Sequence, residues 1–367
     1  MMDFQKGMIW CGVFFSALSV RAQSIQFGGD VDFFLQTGPQ SVETAPGSRQ
    51  LPGRIFDARI NRFILNWASL QATLKKESLQ TQIEIAGGEA LDGLTPNLAG
   101  PGGDPGRFIT QATLTYAPSG WRGASLSAGK FFTPLGFETV KAKDNWQYSR
   151  SLGFNYAIPF WHQGVTLGVP LWPERLKMNL SVVNGWDGRI AADNNQHFSA
   201  ILSVNATPNT DFTVNLNVMT GPESAADSVR DVQELNVSYR LNEDWSFAVD
   251  GMTGTQTNAV ADDRARWSSL AFYARLLVAE TWALSARLEE FDDSDQGFAL
   301  SGGLGGAGLK QKITAATLAS RWDLGEGLET RLELRQDRSD SDAFFRDAQG
   351  EKASTQASAT WALLHRF

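Results

Sequence analysis

Residue types that do covalent or metal chemistry are sparse in this chain. Its three histidines, His162, His197 and His365, and its single cysteine, Cys11, are scattered. His162 beside Ser149 or Ser151 would make a nucleophile–base pair, which needs the imidazole within hydrogen-bond reach of an activated hydroxyl. Neither serine sits in a nucleophile motif, so no catalytic residue is assigned and the chain is not read as an enzyme. The acidic runs Asp292–Asp295 and Asp337–Asp342 offer carboxylates for calcium, yet neither has the ligand spacing of a calcium-binding loop. They read as solvated loop segments, and no metal or cofactor is expected. The stretch 302–308 (GGLGGAG) lacks the strand-then-helix context of a phosphate cradle and reads as a flexible loop tip.

Charged residues are more informative, because they alternate with apolar ones. In 327–338 (GLETRLELRQDR), Leu328, Thr330, Leu332 and Leu334 alternate with Glu329, Arg331, Glu333 and Arg335. A helix would scatter those charges around its circumference, whereas a strand sets every leucine on one face and every charge on the other. The pattern recurs in 280–289, where Trp282, Leu284, Ala286 and Leu288 oppose Ser285, Arg287 and Glu289. It returns in 210–219, where Phe212, Val214, Leu216 and Val218 oppose Thr213, Asn215 and Asn217. Further copies lie at 79–86, 175–184, 196–207, 231–241, 244–254 and 265–277. A charged face of this kind either meets bulk water or lines a wet interior.

The elements that position these faces follow from the connections. Tight turns fall at Lys75–Ser78, Pro118–Gly120, Pro173–Glu174, Pro208–Asn209, Asn242–Asp244, around Ala279 and at Gly325–Gly327. Longer polar, glycine-rich segments interleave with them at 38–57, 90–106, 134–158, 185–195, 221–230, 256–264, 293–309 and 339–351. Eight long loops and seven turns require about 16 strands, with 14 to 18 open because the edges of strands two to six are blurred. Both termini then lie at the short-turn end.

Residues 1–22 stand apart. Lys6 precedes an apolar run from Met8 to Val20, too short to span roughly 30 Å of hydrocarbon, and Val20-Arg21-Ala22 resembles a cleavage signal. The segment reads as a secretory signal peptide cut before Gln23, leaving 23–367 as a cysteine-free exported barrel. No later run approaches about 18 apolar residues, which excludes transmembrane helices. The formal charge of −8 argues against a nucleic-acid partner.

A soluble sandwich of this many strands would divide into domains. Lipid offers the inverse solution: leucines face hydrocarbon, charges face an aqueous lumen, and closure pairs every backbone polar group. The expected fold class is therefore all-β, a transmembrane antiparallel up-and-down β-barrel surrounded by outer-membrane lipids. Trp121, Trp172, Trp245, Trp282, Trp322 and Trp361 suit interfacial girdles. The last strand, 352–367, ends on an aromatic, Phe367, which resembles the signal read by the barrel-assembly machinery; His365 on it reads as an interface residue.

Residues 129–171 resemble the OmpL-like group called putative β-barrel porin-2. The matching positions are Gly129–Phe131, Leu135–Gly136, Tyr148–Ser151, and Ala157–Phe160 with His162 and Gly164. The resemblance implies an outer-membrane channel of Gram-negative bacteria, and no particular solute. The expected function is passive diffusion of small hydrophilic solutes or ions through a water-filled pore. The alternative is a non-conducting structural or adhesive barrel acting through its surface loops.

A lumen of 16 strands is too wide for wall side chains to fill. Loop 134–158 is therefore the candidate constriction, as the third loop is in general porins that share this architecture. Glu138, Lys141, Lys143, Asp144 and Arg150 would set both signs of charge across it. The opposing reading is a solvated external loop. Candidate pore-lining residues are Arg240, Arg287, Glu289, Glu329, Arg331, Glu333 and Arg335, with Asn215 and Asn217; their mixed signs predict weak ion selectivity. Homotrimer formation is left open, because lipid-facing and subunit-facing patches have the same composition.

Overall fold

The computed structural model of the protein describes residues 24–39, 41–45, 48–95, 105–187, 197–223, 228–260, 263–300, 308–342, 345–346 and 351–367. The expected signal peptide, residues 1–22, and most of the glycine-rich stretch 302–308 lie outside them. Sixteen antiparallel strands close into one barrel. They are β1 (Ser24–Thr37), β2 (Phe63–Lys76), β3 (Leu79–Gly87), β4 (Ile109–Tyr116), β5 (Ser125–Phe132), β6 (Trp161–Trp172), β7 (Leu176–Val183) and β8 (Ser199–Asn209). The second half comprises β9 (Phe212–Pro222), β10 (Val229–Arg240), β11 (Trp245–Val260), β12 (Asp263–Ala279), β13 (Trp282–Asp292), β14 (Lys312–Gly325), β15 (Leu328–Ser339) and β16 (Thr355–Arg366). Val31 on β1 faces Ala68 of β2 on one side and His365 of β16 on the other, so the sheet has no free edge.

Period-2 alternation decides which face looks where. On β15, Glu329, Arg331, Glu333 and Arg335 are all buried, while Leu332 and Leu334 are 51% and 62% exposed. Leu288 and Leu318 on the neighbouring strands are equally exposed. The apolar face is thus the outer one, inverted relative to a soluble protein and matched to hydrocarbon. No helix among the described residues is long and apolar enough to cross a membrane.

All seven expected turns join consecutive strands. One of them, Gly325-Glu326-Gly327, has positive φ at all three residues. A Cβ on Gly327 would lie 2.0 Å from the Arg366 carbonyl oxygen, so only glycine lets the turn approach the C-terminal strand. The connection expected as a long loop at 256–264 is instead hairpin. Strands β11 and β12 run on until Val260 faces Asp263. Its Thr, Gln and Asn residues read as loop by polarity, but β-branched threonines at 253, 255 and 257 favour extended backbone even beyond the lipid.

Aromatic residues band both ends. Trp121, Trp172, Trp245, Trp282 and Trp322 all lie at the turn end, where Trp282 and Trp322 stack at 6.5 Å. Trp361 departs from the expected girdle: it faces outward beside Leu35 and Leu332, inside the strand run instead of at its end. Exposed Phe63 and Phe198 mark the long-loop end. The long connections carry two short helices, α1 (Ala90–Leu94) and α2 (Leu152–Tyr156), and a small hairpin pairing Val42–Ala45 with Ser48–Gln50.

Replacing outward Leu334 by Arg should lower the unfolding free energy by about 2–4 kcal/mol, the cost of a cation near the bilayer midplane. Denaturant titration in lipid vesicles reads it; an unchanged midpoint would contradict the outward assignment.

Candidate functional site

The third long connection, 133–160, is an ordered unit. Its base is closed by a hydrogen bond from the Thr133 N–H to the Phe160 carbonyl at 2.9 Å. Asn145 staples its first half, accepting from the Thr139 N–H at 2.8 Å and donating to the Thr139 carbonyl at 2.9 Å. Ser151 caps α2 by accepting from the Phe154 N–H at 3.0 Å. Between these fixtures the chain forms neither strand nor long helix, and its buried carbonyls need donors from elsewhere.

Three arginines of the barrel wall supply them. Arg331 Nη1 donates to the carbonyls of Ala142, Asn145 and Gln147 at 2.9, 2.9 and 3.1 Å. Arg335 Nη1 donates to the Arg150 carbonyl at 2.6 Å, and Arg287 Nη1 to that of Ser149 at 2.8 Å. Carboxylates on the same strands take the segment's N–H groups. Glu333 accepts from Tyr148 at 2.6 Å and Ser149 at 3.1 Å, and Glu289 from Leu152 at 2.6 Å.

Neighbouring side chains neutralise what remains. Arg287 pairs with Glu138 at 2.6 Å and with Glu289 at 3.1 Å. Arg335 pairs with Glu289 at 3.2 Å and Asp337 at 2.7 Å. Arg331 pairs with Glu329 at 2.5 Å. Such Glu/Arg alternation on one inner face gives each buried charge a partner and hydrogen bonds, without which burial would cost several kcal/mol per ion.

The segment's own charges are similarly engaged. Glu138 also accepts from the Ser151 N–H at 2.6 Å, and Arg150 donates to the Thr139 and Val140 carbonyls while lying 4.9 Å from the Phe56 ring. Lys141 Nζ bridges Asp30 on β1 and Glu84 on β3, 2.8 Å from each. Burial pulls its ammonium down, but those two carboxylates raise it above the ordinary lysine value. Lys143 donates to the Gly327 carbonyl at 2.8 Å, and Asp144 accepts from Arg366 at 2.8 Å. Tyr148, wholly buried, donates to Asp32 at 2.9 Å and accepts from Asn66 at 2.9 Å. Burial and the Asp32 charge push its phenol well above the ordinary range. On the opposite flank the Phe137 N–H donates to Asp250 of β11 at 3.1 Å. The segment therefore touches inner faces from β11 round through β15 and β1 to β3.

The other candidate lining residues lie at its margin, reaching the segment through Glu234 of β10, which accepts from the Gly136 N–H. Arg240 keeps the inward parity of Glu234 and Asn236, yet it is exposed at the turn end and paired with Asp211 at 2.6 Å. Asn215 and Asn217 belong to an amide ladder: Asn205 donates to Asn215 at 2.5 Å, Asn215 to Asn236 at 2.8 Å, and Asn217 to Glu234 at 2.5 Å. His162 is buried, its ring nitrogens meeting the Gly185 carbonyl and the Thr133 hydroxyl instead of Ser149 or Ser151.

Two acidic residues expected in solvated loops are buried. Asp337 pairs with Arg335 and Arg54, and Asp293 accepts from the Leu300 N–H at 2.8 Å. In each case a cation or backbone donors replace water. Arg54 was not singled out by the sequence; its guanidinium is wholly buried between Asp57 and Asp337. Its only signal is a cation–carboxylate spacing of three in an otherwise loop-like stretch. Asp187 also escaped notice: Oδ1 accepts from the Phe160 and Trp161 N–H groups at 2.6 and 3.0 Å.

The profile of the putative β-barrel porin-2, OmpL-like family matches residues 24–367. The chain belongs to that family. It is an outer-membrane channel for solutes. No curated protein matches this porin by sequence. Among solved structures it resembles the anion-selective porin from Comamonas acidovorans, with TM-score 0.64, 12% identity, and 94% of this chain and 99% of that chain covered. It resembles the channel DcaP of Acinetobacter baumannii with TM-score 0.63, 9% identity, and coverage of 94% and 97%. A trimer form of the Vibrio cholerae outer-membrane protein OmpT gives TM-score 0.58, 11% identity, and coverage of 94% and 99%.

Arg287→Ala in this porin leaves Glu138 buried without its cation, with an expected loss of about 3–5 kcal/mol in denaturant titration; a loss under about 1 kcal/mol would contradict a buried pair. Asp187 gives a pH test. Burial pushes its carboxyl up to about 7, against the pull of its two N–H donors. A raised carboxyl stabilises the folded contact fully below about pH 4, the unfolded value, and loses that contribution as pH rises through about 7. Tryptophan emission should therefore track loosening between those limits in the parent, and Asp187→Asn should flatten the curve. An identical slope in the variant would contradict the assignment.

Proposed function

We propose that segment 133–160 occupies the lumen as the constriction of a passive diffusion channel, and that small hydrophilic solutes pass beside it along β4–β9. The observation that carries this reading is the mutual neutralisation of charge. Nearly all the segment's ionisable groups, and those of β13 and β15 facing it, are spent on holding the segment. Glu138, Lys141, Lys143, Asp144 and Arg150 thereby become fixings of the constriction rather than a selective ring.

The remaining path is lined mainly by neutral polar groups such as Gln111, Thr113, Thr166, Asn179, Asn205 and Asn215, with Lys177 on the same inner row as Asn179 near the turn end and hydroxyl pairs Thr115–Ser127 and Thr166–Ser181 at 2.8 Å. Amides and hydroxyls replace part of a solute's hydration without preferring either sign of charge. Family and fold favour a conduit over a catalyst. Export through the N-terminal leader cut before Gln23, assembly through the strand ending at Phe367, and association into homotrimers complete the proposal; the trimer form of OmpT supports the last.

Planar-bilayer recording tests it. Arg331→Ala combined with Arg335→Ala should free the segment and raise single-channel conductance roughly twofold or make it noisy. The parent's reversal potential in a KCl gradient should stay near zero. A silent bilayer, unaltered conductance in the double variant, or strong preference for one ion sign would each contradict the reading.

A further inference from the structure

A second feature at the long-loop end is a cavity of about 460 Å³, within the size range of small-molecule sites. It lies between the 50–59 loop, α1, the end of the constriction segment and the ends of β10 and β12. We propose that it binds an uncharged saccharide on the way to the constriction. The inference rests on the channel reading and names the solute class that would use it.

Most of the charges bordering the cavity are already paired. Arg59 pairs with Glu89 at 2.6 Å, Asp92 with Arg107 at 2.5 Å, and Arg54 with Asp337 at 3.2 Å. Arg230 lies 4.5 Å over the Trp186 ring and 5.5 Å over Phe298, with Nε donating to Gln256 at 2.6 Å. An entering ion would have to compete with pairs already made and, at Arg230, with two aromatic faces and an amide.

Apolar faces and one amide are what the cavity offers. Phe56 meets Phe160 at 74°, so the two lining rings form an angled cup, not a parallel slot. A puckered ring with C–H faces fits a cup better than a flat aromatic does. Asn155, on α2, lines the cavity at 4% exposure, and neither its Nδ2 nor its Oδ1 has a hydrogen-bond partner in the protein. A buried amide without partners is costly, and a carboxamide presents one donor edge and one acceptor side by side. Vicinal hydroxyls of a saccharide satisfy both at once. Asp187 at the rim adds a carboxyl able to accept or donate near neutral pH.

The test uses the full-length mature porin in planar bilayers and, separately, in detergent micelles. Glucose or maltose added on the long-loop side should interrupt the KCl current in a concentration-dependent manner and shift tryptophan emission in micelles. Asn155→Ala should raise the half-blocking concentration about tenfold relative to its own open-channel current, and Trp186→Ala serves if that variant does not fold. Failure of both sugars to block or to shift emission, equal blocking of variant and parent, or stronger blocking by glycine betaine or benzamide overturns the proposal. Open KCl currents without saccharide block sink the site alone; absence of any current sinks the channel reading, and the micelle titration then still decides the site.

Discussion

Backbone carbonyls taken out of water must find donors, and in this protein that requirement ties an irregular segment to a regular wall. Residues 139–152 have too little secondary structure to satisfy themselves. Arg287, Arg331 and Arg335 reach them from β13 and β15, and each guanidinium can serve several carbonyls while keeping a carboxylate at its Nε. Lysine has no such fork, which is why the clamps are arginines and Lys141 spans two carboxylates instead.

The clamp depends in turn on the inverted barrel. Only because leucines face hydrocarbon can the inner face carry so many charged, amide and hydroxyl side chains. Closure of β1 on β16 removes the free edge and fixes the register that sets Arg331 and Arg335 on the same inner row as Glu333. Interior aromatic packing, with Phe56, Phe154 and Phe160 in mutual contact, covers the network on the long-loop side. Within it each ion pair is stronger than it would be in solvent, and each unpaired group more costly.

The strands and turns were legible in the sequence because a period of two is local and survives without tertiary information. Leu328–Arg335 shows both faces in eight residues. The 256–264 segment reads as a loop for the complementary reason: its polarity signals loop, and nothing local tells a strand that has left the membrane from a connection. The parity of the inner charges is visible in the sequence, but their surroundings are not. Pairings such as Arg331 with the Ala142 carbonyl span 189 residues, so their partners could not be found from spacing. Arg54, Asp187 and Asn155 were invisible on the same ground, since their burial is imposed by loops folding over them. Trp361 looked like a girdle residue because it lies near the chain end, yet the strand's tilt and register set it among Leu35 and Leu332.

Hydrogen exchange on the porin in lipid nanodiscs tests the central claim most directly. The account predicts that the amides of Tyr148, Ser149, Ser151 and Leu152, which donate to Glu333, Glu138 and Glu289, exchange as slowly as strand amides of β13 and β15. Exchange of those four as fast as the exposed turn at 241–244 would contradict it.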